Sequence, residues 1–177
     1  MQSRPSKIEL VTIGVYGWDA EGFFAALQIN HVDTLVDIRR RRAVRGTEYA
    51  FANSNRLQAR LAQTGVRYIH RIDLSPSDAL RKQQAAVDHE NQVARRKRTE
   101  LSDQFRAGYT QEILQHFDGN QFLADLGPDA RVVALLCVER WPEACHRGIL
   151  AERLQEDAGV KVTHLTPQYD GLIQARP

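Results

Sequence analysis

The chain has 177 residues, 42% of them hydrophobic, and a net charge of only +2, so it is long enough to close one sizeable core and too weakly charged overall to announce a nucleic-acid binder. No apolar run approaches the roughly 18 residues of a membrane span, and the start MQSRPSKIEL lacks the apolar core of a signal peptide; a protein of the cytoplasm with no membrane partner is expected, folded as one α/β domain over residues 1–177. Two cysteines without C-x-x-C spacing argue against both a disulfide scaffold and a self-contained zinc site, so neither a cofactor nor a metal is expected.

Periodicity and punctuation predict five strands alternating with helices. The first strand covers about Glu9 to Gly14, and a helix capped by Asp19 follows, burying Phe23, Phe24 and Leu27. The second strand, Thr34 to Arg39, runs into an arginine-rich loop and a short helix over Asn55 to Thr64, which Gly65 ends. The third strand is Arg67 to Ile72. Residues 75–128 exceed the usual connection of an α/β unit and read as an insertion. Its first half has few large apolar residues and reads as a solvated arm; its second half, with Leu101, Phe105, Tyr109, Ile113, Leu114 and Phe117, reads as a packed helix. The fourth strand is Arg131 to Val138, the helix after Pro142 runs to about Ala158, and the fifth strand is Lys161 to Leu165. The expected fold is a three-layer α/β sandwich with a mostly parallel five-stranded sheet and a helical insertion before strand four.

Parallel strands deliver their carboxyl ends to one rim, where ligands bind in open α/β sheets. That rim would collect Thr12 and Gly14, Asp37 and Arg39, His70 and Asp73, and Cys137 with Glu139 and Arg140. The segment CVERWPEACHR then places Cys145, His146 and Arg147 in the first turn of a helix, where the dipole and two basic neighbours favour thiolate over thiol. The expected catalytic set is Cys145 as nucleophile with His146 and Glu139, and the expected anion-binding set is Thr12, Gly14, Asp37, Arg39, Arg140, Arg147 and His70. Each has a plainer reading: Cys137 as a small hydrophobe in an apolar strand, Cys145 as an inert helix-start residue, His146 as a packing residue, and Asp37 with Arg39 as an ion pair tethering the arginine loop. The C-x5-R loop of tyrosine phosphatases is absent, because Glu143 and Ala151 stand six residues after the two cysteines.

The C-x-E…P-E-x-C-H-R run, with VTIG at residues 11–14 and LVDIRRRRAVRG at 35–46, resembles the family called domain of unknown function 488. YAFANSNRL and VRYIHRIDL extend the likeness from about Glu9 to Leu165. The resemblance implies the fold and the place of the site, not a reaction. The chain departs from many members at Val15, Tyr16 and Gly17, where they carry a His-Ser or His-Asn pair.

Arginine outnumbers lysine twenty to four, with five arginines between Arg39 and Arg45 and four basic residues between Arg95 and Arg98. Arginine's planar fork suits phosphate, although such a bias also follows from genome base composition. The leading expectation is a cysteine-dependent enzyme acting on a phosphate-bearing substrate, a nucleotide or nucleic acid. Two other readings stay open. One is a non-catalytic nucleic-acid-binding module using Arg41, Arg42, Arg45, Tyr49, Arg95 and Arg96; the other is a partner-binding domain with the insertion as its interface.

Overall fold

The computed structural model describes residues 8–167 and the backbone of 173–176. Five strands, β1 (Glu9–Ile13), β2 (Thr34–Asp37), β3 (Arg67–His70), β4 (Val132–Leu136) and β5 (Lys161–Pro167), run parallel, and a sixth, β6 (Ile173–Arg176), adds an antiparallel edge beside β5. Their order is β3-β2-β4-β1-β5-β6. Each predicted strand lies where periodicity placed it, with starts shifted by at most one residue and ends by one or two.

Alternation along the strands sorts two cores onto the two faces of this sheet. Val11, Ile13, Leu35, Ala134 and Leu136 face helices α1 (Ala20–Ile29) and α2 (Ser54–Gln63), whose Phe23, Phe24, Leu27, Leu57 and Leu61 complete that layer. Leu10, Val36, Val133, Leu135 and Cys137 face the opposite layer, built from α4 (Asp103–Glu112), α5 (Gly119–Asp125) and α6 (His146–Ala158). Asp19 caps α1 by accepting from Gly22 N at 2.7 Å, and α6 stops at Gly159 with φ 60°, the left-handed conformation expected there. No helix among the described residues is long and apolar enough to cross a membrane.

The first half of the insertion is not an open arm. Residues Asp78–Glu90 form helix α3, capped by Ser77, whose side chain accepts from Leu80 N. Apolar counting misses it because polar groups hold it in place. Buried Gln84 donates to Asp88 at 2.8 Å and accepts from both the backbone N–H and the hydroxyl of Ser102 at 2.9 Å, which ties α3 to the start of α4. Buried polar groups that are fully bonded to one another specify packing as well as apolar ones do.

Candidate functional site

Beyond Leu136 the chain stays paired to its neighbour for a few residues more: Cys137 N donates to Ile13 O, and Val15 N and Tyr16 N both donate to Val138 O. The two segments then cross at Gly14, where an added Cβ would lie 1.8 Å from the Glu139 carbonyl oxygen, so only glycine fits. A 3-10 turn at Pro142–Ala144 reverses the chain and leaves Cys145 as the N-cap of α6. This turn returns Cys145 and His146 to Cys137, and the two sulfurs and an imidazole nitrogen lie within 4.8 Å of one another.

His146 sits between the sulfurs. Its Nδ1 lies 3.7 Å from the Cys137 sulfur and 3.9 Å from that of Cys145, and Nε2 lies 3.9 Å from the Cys137 sulfur and 3.2 Å from the Ile38 carbonyl oxygen. A carbonyl only accepts, so Nε2 carries a proton and Nδ1 turns toward the thiols. The Tyr109 ring packs against the imidazole with centroids 5.4 Å apart. Both cysteines are buried. Burial opposes ionisation of Cys145, but a hydrogen bond from Cys137 and the charges of His146 and Arg147 outweigh it and hold this thiol well below its ordinary value. Burial and the hydrogen bond to Cys145 push Cys137 well up, so it stays a thiol. Of the two, Cys145 is therefore the more acidic thiol and Cys137 the less.

These groups form the floor of a cavity of about 1130 Å³ lined by ten Arg or Lys side chains against three carboxylates. Its walls are the two basic runs that lie far apart in sequence. One wall is the loop after β2, with Arg39, Arg40, Arg41 and Arg45; the other is α3 and the segment behind it, with Arg81, Arg95, Arg96 and Arg98. Glu139, buried at 3% exposure, ties the second wall down: Arg95 reaches it at 2.7 Å and Arg98 at 3.3 Å. Arg98 also bonds Asp88 at 2.7 Å and the Ala144 carbonyl at 3.0 Å. Arg96 crosses to the other wall, lying over the rings of Tyr16 and Tyr49 at 5.3 and 5.2 Å and donating to the Arg45 carbonyl. The cations crowd one another. Burial lowers the Arg81 guanidinium, and Arg41, Arg40 and Arg95 lower it further.

Of the expected catalytic residues, Cys145, His146 and Glu139 do converge on the cavity, together with Cys137. Glu139 stands there as an anchor for Arg95 and Arg98, with its second oxygen 3.6 Å from the Cys137 sulfur. The expected anion-binding residues are mostly committed to the fold. Arg39 touches the cavity, but it forms a bidentate pair with buried Asp37 at 2.7 and 2.8 Å and donates to the Ala52 carbonyl, which tethers the arginine loop. Tyr68 closes the same carboxylate at 2.7 Å. His70 Nε2 lies 2.9 Å from the Arg39 carbonyl oxygen. Arg147, with no exposed surface, donates to the carbonyls of Glu139 and Arg140 and to Thr12, whose hydroxyl also meets His164 at 2.8 Å. Arg140 donates to the Pro167 carbonyl and lies over the Trp141 ring. Among the residues expected to touch nucleic acid, Arg41, Arg45, Arg95 and Arg96 line the cavity, Tyr49 stacks on Arg96, and Arg42 bonds Tyr68. Arg98 belongs to the basic run that the sequence singled out, whereas Arg81 escaped it, because inside a charged stretch nothing distinguishes a lining arginine from a solvated one.

A model of the family described as domain of unknown function DUF488 matches residues 19–154. No curated protein matches the chain, and no solved structure does.

Proposed function

Since the chain belongs to the DUF488 family, whose name carries no reaction, we propose its function from the cavity itself: a cysteine-dependent enzyme acting on a phosphate-bearing substrate. The observation that carries this reading is a cysteine at a helix N-cap, beside an imidazole, at the floor of a cavity walled by guanidinium groups. In that reading Cys145 Sγ attacks the electrophilic centre next to the phosphate, and the lining arginines hold the phosphate oxygens by charge-assisted hydrogen bonds. His146 Nδ1 and the Cys137 S–H, both beside the attacking sulfur, keep the thiolate in place and supply a proton to the departing group. A second reading, a nucleic-acid-binding face, is favoured by one specific observation. Arg41 and Arg45 are exposed on the cavity wall, and Arg96, which bonds the Arg45 carbonyl, lies over Tyr49, a composition suited to phosphate contact and base stacking.

Alkylation tests the first reading. With iodoacetamide, Cys145 should be modified faster than Cys137 near neutral pH, with a rate profile whose midpoint falls below the free-thiol value of about 8.5. Pyrophosphate or a nucleotide should slow the reaction. Equal, slow labelling of both thiols in the native protein would remove Cys145 as the nucleophile. The second reading fails if neither single- nor double-stranded DNA or RNA binds at low salt.

A further inference from the structure

We infer that Cys137, Cys145 and His146 form a binding site for Zn2+, with two sulfur ligands, one imidazole nitrogen and a fourth position open to the cavity. Zinc bonds of about 2.3 Å to sulfur and about 2.0–2.1 Å to nitrogen, set at the corners of a tetrahedron, put sulfur and nitrogen about 3.6 Å apart and the two sulfurs about 3.8 Å apart. The Nδ1 of His146 already lies 3.7 and 3.9 Å from the two sulfurs, and all three atoms fall within 4.8 Å. Closing the site then needs only a small inward movement of the sulfurs.

Three further observations fit an ion there. The Nε2–H of His146 faces the Ile38 carbonyl at 3.2 Å, the outer hydrogen bond that metal-ligating histidines use to fix their ring, and it leaves Nδ1 to bind the ion once any proton there is displaced. Two thiolates and a dication sum to zero charge, so filling this buried site leaves no net charge behind in it. All three ligand residues line the cavity, so a water or an oxygen of an anionic ligand can take the fourth place, the arrangement of open zinc sites rather than closed structural ones. Soft thiolates with imidazole select zinc over magnesium or calcium.

The inference goes beyond the proposed function, since the coordination geometry stands whether or not Cys145 attacks a substrate. It also has a consequence for that function. An ion on Cys145 draws charge from its sulfur and lowers its nucleophilicity, so bound zinc slows alkylation and prior alkylation removes a ligand.

The test uses the full chain, reduced and treated with chelator, titrated with Co2+ as a spectroscopic stand-in and then with Zn2+. One equivalent of Co2+ should raise a sulfur-to-cobalt charge-transfer absorption with the visible bands of a tetrahedral ion, and one equivalent of Zn2+ should abolish both. Zn2+ should also protect both thiols from iodoacetamide. Cys137→Ser and Cys145→Ser should each cut the charge-transfer intensity, and His146→Ala should weaken binding by more than about tenfold, the least that losing even an outer partner of a ligand typically costs. Should a serine variant fail to fold, wild-type protein alkylated on both cysteines takes its place and should bind no Co2+. The site is overturned if no charge-transfer band forms with excess Co2+, or if the band survives in both serine variants or in the alkylated protein. Fast alkylation of Cys145 without metal uptake leaves the proposed function standing and removes the zinc site. Metal uptake by a protein whose free thiols alkylate slowly does the reverse.

Discussion

Arg147 spends its whole guanidinium on the protein: Glu139 O at 2.6 Å, Arg140 O at 2.9 Å and the Thr12 hydroxyl at 3.4 Å. It is a strut between the strand end and the helix start, and Arg147→Ala would leave two buried carbonyls without a donor and a void where the side chain lay. We expect a loss of about 3 kcal/mol or more in urea denaturation; a change within about 0.5 kcal/mol would exclude the strut role. Its neighbour His164 carries a pH signature. Burial and, second to it, the Arg147 charge lower its pKa from 6.5. The folded state therefore prefers the neutral ring, so this stabilisation is complete above the unfolded value of 6.5 and is lost as pH falls through the folded value. The stability advantage of wild type over His164→Gln should accordingly shrink as pH falls below the unfolded value of 6.5; a difference independent of pH would count against it. At this scale the sequence revealed residue types and one neighbourhood, the thiol and histidine at a helix start. It could not tell that Asp37, Arg39 and Arg147 are spent on the fold, since that depends on acceptors such as Ala52 O and Glu139 O, which only the tertiary structure places.

Helix α3 and the basic turn behind it act as one wall hinged onto the sheet through Glu139. Glu139→Gln keeps the shape and removes the charge that Arg95 and Arg98 share, while Arg98 retains Asp88 and the Ala144 carbonyl. We expect a loss of about 2–3 kcal/mol and faster alkylation of Cys145 as the wall loosens. An unchanged alkylation rate beside an unchanged melting temperature would show that the pair does not hold the wall. Elements with apolar stripes were legible in the sequence: β1, α1 and α2 lie where period and caps put them, while α6 ends as expected at Ala158 but starts at His146, because Pro142–Ala144 form a separate 3-10 turn and Cys145 is the N-cap and not a first-turn residue. Helix α3 was not, because its inward face consists of Leu80, Gln84 and Asp88, and two of those three are residues that a hydrophobicity count assigns to solvent.

Over the whole molecule, the fold turns two remote basic runs and one short cysteine segment into a single chamber. The sheet order does this by setting β2 directly beside β4, so the arginine loop after β2 rises next to Cys137 and Glu139. Alternation predicted the strands and their parallel sense, but not which strands would be neighbours, since register is decided by pairing partners far along the chain. That same order has a consequence for how the molecule is made. Strand β1 is flanked by β4 and β5, with Glu9 opposite both Val132 and Lys161. At a synthesis rate of about 5–20 residues per second, β1 leaves the ribosome on the order of ten seconds before either neighbour exists. Loop closure over such a span is slow, so the apolar strand destined for the middle of the sheet is unpaired on both edges for that interval. The hazard of aggregation for this chain therefore lies in its synthesis, while its most central strand waits for the segments that will enclose it.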